Sequence, residues 1–407
     1  MSKNSLRLTL IVSALSLALP AWSQDSGDPG KALVEAQCNT CHPLSARVGT
    51  GYTPDGWDTV LLMMLNHGAQ LPADQLAVMK AYLVKAYPVK GRPDAVLVPG
   101  PLKVSMKAWP VAKPASRPHD PLAARDGSLW YTGQMVNELG RLDPKTGKIR
   151  KYPLKTPHSG PHGLVEDRQG NIWYTGNAAG LVGKVNAKTG QVTEYKMPDP
   201  QAKDPHTPIF DRKGILWFSV QGGNRIGRLD PKTGQIKLIA MPTANSRPYG
   251  MAVDSRNNIY SVLFGTNKVA RVDPKTFAVK EFTLPDNASR PRRIAITADD
   301  MVWYTDYSRG YLGRLNPKTG EVKEWQSPSG PKCAPYGISA IKGVIWYSES
   351  EASPNTVVRF DPKSEKFQSW AIPGGGNIVR NTSVTKDGSF VLANSLVNQL
   401  TLVRTGK

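Results

Sequence analysis

Between Leu129 and Gly147 the chain reads LWYTGQMVNELGRLDPKTG, and the recurrence of this stretch decides the architecture. Leu129-Trp130-Tyr131-Thr132 is an aromatic and β-branched run that suits a buried strand. Asp143-Pro144-Lys145-Thr146-Gly147 is a turn in which proline pre-sets the bend and glycine takes the positive dihedral. The turn returns as Asn186-Ala187-Lys188-Thr189-Gly190, Asp230-Pro231-Lys232-Thr233-Gly234, Asp273-Pro274-Lys275-Thr276, Asn316-Pro317-Lys318-Thr319-Gly320 and Asp361-Pro362-Lys363-Ser364. The strand returns as Ile172-Trp173-Tyr174-Thr175, Leu216-Trp217-Phe218-Ser219, Val302-Trp303-Tyr304-Thr305 and Ile345-Trp346-Tyr347-Ser348, with weaker forms at Ile259-Tyr260-Ser261 and Ser389-Phe390-Val391. The period, about 43 to 45 residues, is the size of a propeller blade. Seven units predict a closed, all-β seven-bladed propeller over residues 116–407.

A further register marks the start of each innermost strand: His119, His162, His206, Tyr249, Arg292, Tyr336 and Arg380, the first six preceded by proline. Radial repetition brings these seven round one mouth of the central channel. Polar residues at a channel mouth also arise simply because they meet water, but three His, two Tyr and two Arg together point to a ligand site. Histidines 119, 162 and 206, on adjacent blades, suit a divalent metal or acid–base work. Tyr249 and Tyr336 would contact a substrate, and Arg292 and Arg380 would hold a carboxylate or phosphate. His158 lies in the preceding loop and is expected to be exposed.

Ahead of the array stands Cys38-Asn39-Thr40-Cys41-His42, a C-x-x-C-H that reads as a covalent haem c attachment site with His42 on the iron. A zinc site needs about four ligands, and no second C-x-x-C or histidine cluster supplies them. Lys3 and Arg7 precede an apolar run from Leu8 to Ala21, which reads as a secretory signal over residues 1–24. Export and covalent haem agree with each other, so a periplasmic location is expected, with no membrane span. Residues 29–37, 55–65 and 72–87 have helical patterning, which predicts a small all-α haem domain over 25–88. Residues 89–115, rich in Pro, Val and Lys without a sustained period, read as a linker.

With three cysteines the chain is no disulfide scaffold, and Cys333 is expected to be buried and inert. The net charge of +20 recurs largely within the blade turns. Nucleic acid is not expected as a partner of an exported protein, whereas an acidic redox protein or an anionic ligand is.

Residues 29–88 resemble class I monohaem c-type cytochromes, which implies a methionine as second iron ligand. Met63, Met64 and Met79 are the candidates. In similar short cytochrome domains a G-W opens a helix and the ligand methionine lies four residues before G-A. Gly56-Trp57 and Gly68-Ala69 place it at Met64, with Met63 one helical step away and His67 as the alternative if Met64 belongs to the core. Residues 116–407 resemble the virginiamycin B lyase (streptogramin lyase) family in their P-H-G and P-Y-G strand starts, their W-F/Y-T strands and segments such as Asn224-Arg225-Ile226-Gly227-Arg228. That family opens a cyclic depsipeptide antibiotic by elimination, with magnesium. The resemblance implies catalytic roles for His162, Asp204 and His206, but Asp204 stands in place of a glutamate and Gln221 in place of another. Loss of a carboxylate disfavours magnesium, while His119 adds an imidazole that favours a transition metal. Asp306 and Glu349 would supply acids on later blades.

These residues favour a haem-dependent oxidoreductase or periplasmic electron-transfer protein with a ligand or metal site in its propeller. The alternatives are a streptogramin-type C–O lyase with an appended cytochrome, and a non-catalytic binding propeller. A quinone-dependent dehydrogenase fits less well, because Tyr152, Tyr195 and Phe282 stand near the place of its repeat tryptophan.

Overall fold

The computed structural model describes residues 28–39, 44, 51–66, 68–111, 113–375 and 378–405. The secretory signal, Cys41, His42 and His67 lie outside the described residues.

Three helices come first: α1 (Pro29–Cys38), α2 (Pro54–Asn66) and α3 (Leu76–Ala86). Asp28 caps α1 by accepting from the Gly30 N–H at 2.9 Å. A Cβ on Gly30 would stand 2.5 Å from Tyr82 Cβ and 2.7 Å from the Val78 carbonyl, so glycine lets α1 and α3 cross closely. Val34, Trp57, Leu61, Met79 and Leu83 form the core of this unit. No helix among the described residues is long and apolar enough to cross a membrane.

Seven four-stranded antiparallel sheets follow, and the propeller expected from the repeats is present. In the first blade β2 (Pro118–Ala123) is innermost, followed outward by β3 (Leu129–Gly133), β4 (Glu138–Leu142) and β5 (Ile149–Pro153), after β1 (Val104–Pro110) has been laid elsewhere. β1 pairs with Gln399–Thr405, from Val104 opposite Thr405 to Pro110 opposite Gln399. The last blade is thus completed by the N-terminal strand, and the expected linker 89–115 is corrected: its second half is the outer strand that closes the ring. The first half is tied down as well. Ala95 N–H donates to the Ser353 carbonyl at 3.1 Å, and Val98 N–H to Ser369 Oγ at 2.8 Å.

The sequence signatures have packing causes. In the second strand of a blade, Tyr131, Tyr174, Phe218 and Tyr304 lie opposite Gly140, Gly183, Gly227 and Gly313. A Cβ on Gly183 would come within 2.1 Å of the Tyr174 ring. The fourth blade, which has Ser261 in place of the aromatic, has Ala270 opposite it. The sixth pairs Tyr347 with Val358.

Candidate functional site: the mouth of the channel

The innermost strand of every blade opens with a β-bulge. Pro118 pairs with Gly133 and Pro121 with Tyr131, which leaves one extra residue on β2, and the shift recurs in the other six blades. A bulge re-aims side chains and leaves an amide off the ladder. The hydroxyl of the W-Y-T strand takes up that amide: Asp120 N–H donates to Thr132 Oγ1 at 3.0 Å, Gly163 N–H to Thr175 Oγ1 at 2.9 Å and Thr207 N–H to Ser219 Oγ at 3.0 Å. The same hydroxyls donate onward to the next blade, from Thr132 to the His162 carbonyl at 3.0 Å, from Thr175 to that of His206 at 2.6 Å and from Ser219 to that of Tyr249 at 2.7 Å. The fourth letter of the strand motif therefore fixes the ring residues.

Those residues meet as expected. Ring centroids are 3.7 Å apart from His119 to His162, 3.7 Å from His162 to His206 and 3.8 Å from His206 to Tyr249. The Tyr249 and Tyr336 hydroxyls share a short hydrogen bond. Arg380, also buried, donates to Ser395 Oγ at 2.5 Å. Arg292 stands over the faces of Tyr336 and Tyr307, each 4.1 Å from its guanidinium carbon, and of Phe264 at 4.6 Å.

Burial, joined by the charges of Arg380, Arg117, Arg293 and Arg292, holds His119 well below the ordinary imidazole range. Burial and its neighbour His119 do the same to His162, and burial and His162 to His206. All three imidazoles are neutral at pH 7. Among the described residues the one group of three potential ligands within reach of each other is His119, Asp120 and His162, with donor atoms within 4.8 Å. His206, expected beside them in a metal set, has its Nδ1 3.0 Å from Thr207 Oγ1.

Below the histidines lies a layer that sequence reasoning passed over. Arg293, buried, donates from Nη2 to Asp120 Oδ1 at 3.0 Å, from Nη1 to Thr207 Oγ1 at 3.1 Å and from Nε to the Arg380 carbonyl at 3.1 Å. Asn381 donates to Asp120 Oδ2 at 2.8 Å, and His119 Nδ1 lies 2.9 Å from Asp120 Oδ1. The residues one past the ring register read Asp120, Gly163, Thr207, Gly250, Arg293, Gly337 and Asn381. A Cβ on Gly163 would stand 2.4 Å from the His206 carbonyl, and one on Gly250 2.8 Å from Arg293 Cα. Alternating glycine leaves room for four polar side chains, which form a floor under the mouth.

The residues carried over by resemblance fare differently. His162 and His206 stand side by side, but Asp204 accepts from Asn177 Nδ2 and lines an outer cavity of about 370 Å³ with Asp199 and Lys203. Gln221 Oε1 accepts from Arg247 Nη2 at 2.8 Å. Asp306 and Glu349 are structural acids rather than channel groups. Asp306 accepts from the Arg290 N–H at 2.9 Å, and Glu349 from Ser327 Oγ at 2.6 Å, Ser329 N–H at 2.9 Å and Thr356 Oγ1 at 2.6 Å. Cys333 is buried, and burial together with Glu349 raises its thiol far out of the reactive range.

The helical unit sits on this same face. Met63 is buried against Ala115 and Met135, with Met64 and Leu396 packed partly against them. Asn66 Nδ2 donates to the Pro114 carbonyl at 3.4 Å, and the exposed His158 packs against Gly68. Cys38, at the end of α1, is half-buried and in no disulfide among the described residues, and burial raises its thiol.

Residues 101–272 match the family model of the virginiamycin B lyase family. A streptogramin B lyase structure superposes with a TM-score of 0.68 at 26% identity, over 74% of this chain and 98% of that one. The ring is a virginiamycin B lyase-like propeller. The family match begins ahead of β1, in accord with that strand's place in the last blade of the propeller. A catalytically inactive virginiamycin B lyase from Staphylococcus aureus with quinupristin superposes with a TM-score of 0.67 at 22% identity, over 74% of this chain and 99% of that one. Hydrazine synthase from Kuenenia stuttgartiensis does so with 0.62 at 15%, over 72% of this chain and 96% of that one. These last two establish likeness of fold alone. No curated protein matches the chain.

Proposed function

We propose that this chain is an exported monohaem c-type cytochrome joined to a ligand-binding propeller, and that a small molecule held at the channel mouth exchanges electrons with the haem. The observation that carries this reading is the docking of α2, with Met63 and Met64, onto Ala115 and Met135 on the face where the histidines open. A lyase needs no electrons, so a haem motif beside a binding cup is better accounted for by redox chemistry. Cys38, half-buried and in no disulfide among the described residues, suits a thioether. Met79 is taken into the helical core and Met63 is buried against the propeller, which leaves Met64 as the methionine best suited to the iron.

Cys38, Cys41, His42 and Met64 would hold the haem, which supplies one-electron exchange. The propeller's share is binding and orientation: His119, His162 and His206 offer neutral nitrogens, Tyr249 and Tyr336 offer hydroxyls, and Arg292 and Arg380 offer charge. An acidic periplasmic protein would be the electron partner. Anaerobic mixing of the oxidised protein with candidate reductants tests this, with haem absorbance as the readout. A physiological substrate should reduce the haem, and Arg380→Met should slow that step at least tenfold while leaving reduction by dithionite unchanged. Equal rates in both proteins would sink the proposal.

The lyase reading is favoured by the 26% identity to a streptogramin B lyase and by the retained pair His162 and His206. Incubation with a streptogramin B antibiotic and magnesium, followed by mass spectrometry, tests it. The engagement of Gln221 by Arg247 leads us to expect an intact ring.

A further inference from the structure

We propose that the mouth binds a small oxyanion between Arg380 and Arg292, with His162 as hydrogen-bonding partner, and that Glu351 carries a proton taken up on binding. The inference deepens the ligand site of the preceding section and rests on it, but not on the haem.

Among the described residues, three buried polar atoms at the mouth lack hydrogen-bond partners: His162 Nδ1, Arg292 Nε and Glu351 Oε2. Buried polar atoms are seldom left so unless a ligand or water completes them. Glu351 lies in the upper loop of the sixth blade, its N–H donating to the Cys333 carbonyl at 2.9 Å. Arg92, just after the helical unit, approaches it to 3.6 Å, with both side chains mostly buried. Arg380 and Arg292 act on it from the ring, and Tyr307 from the fifth blade.

The charges at this point do not balance. Asp120 is engaged by Arg293 and Asn381, and Glu349 and Asp306 are enclosed by their own donors. Among the described residues Glu351 is an acid on which Arg92, Arg380 and Arg292 all act. The neutral histidines add no charge, so the cup carries excess positive charge with hydrogen-bonding groups beside it. A guanidinium fork matches a pair of oxygens on one atom, which selects an oxyanion over a metal cation. Burial already raises Glu351 above the ordinary carboxyl range, and a second negative charge close by favours its protonated form further.

Isothermal calorimetry on the full-length oxidised protein tests this, with acetate and inorganic phosphate as separate probes. Titrations run from about pH 6 to about pH 9, since burial can carry a carboxyl to about 8–9, each in two buffers of different ionisation heat. One site is expected, with about one proton taken up per anion and affinity falling by up to about tenfold per pH unit above the Glu351 titration. Glu351→Gln should keep the affinity and lose the proton uptake. Arg380→Met should weaken binding at least tenfold, and Arg380→Lys should recover part of it. Binding of acetate alone assigns an organic acid, and of phosphate alone a phosphate or its ester. Absence of heat with both probes at tens of millimolar would overturn the proposal, as would unchanged binding in Arg380→Met or proton uptake that persists in Glu351→Gln. No electron moves in this assay, so its failure is distinguishable from failure of the redox reading.

Discussion

Thr175 does two tasks with one hydroxyl, accepting from the bulge amide of Gly163 and donating to the carbonyl of His206. Thr175→Val keeps the shape and strands both groups in a buried setting. The expected loss is about 1–3 kcal/mol, read by denaturant unfolding, with weaker anion binding because the Gly163 amide next to His162 is no longer held. The histidines themselves make stability depend on pH. Each unfolded imidazole binds a proton below its ordinary value of about 6.5, whereas the buried ones stay neutral to far lower pH. Stability is therefore lost as pH falls through this window, by up to about 1.4 kcal/mol per pH unit for each histidine. The triple variant His119→Gln, His162→Gln, His206→Gln should show a shallower fall between about pH 6.5 and 5, and an identical slope would show that the imidazoles are not neutral. The ring itself was legible because blades repeat, so like positions meet. The floor beneath was equally present one residue along, but a run with glycine at every second blade looks like a turn signal unless its crowding is known.

At the scale of elements, the pairing of an aromatic second-strand residue with glycine on the third strand makes a double-mutant test. Gly183→Ala drives a methyl into the Tyr174 ring, at an expected cost of about 1–3 kcal/mol or more. Adding Tyr174→Ser recreates the Ser261–Ala270 pairing of the fourth blade and should restore part of the loss. Purely additive effects would show that the two residues do not couple. β1 escaped sequence reasoning for a physical reason. It is an outermost strand with one face in solvent, so Lys107 and Pro110 sit in it without penalty, and its partner lies at the far end of the chain. Trp109 is its anchor in the closing blade, and Trp109→Ala should cost about 3–5 kcal/mol.

On the scale of the whole molecule, one chain closes a ring with its own N-terminal strand and seats a helical unit against loops on the face where the ring residues open. A chain begun at residue 111, without β1, should unfold at lower temperature and over a broader range than one begun at residue 89. Equal transitions would show that the ring does not need this closure. The docking of the helical unit on the histidine-bearing face motivates the proposal that the chain handles electrons at the mouth of a binding propeller. The most direct test is intact-mass and peptide mass spectrometry of the exported protein, with its absorption spectrum. One haem linked through Cys38 and Cys41 is expected, with a weak band at the red edge of the visible that is lost in Met64→Ala. Free or disulfide-linked cysteines without a haem spectrum would contradict it.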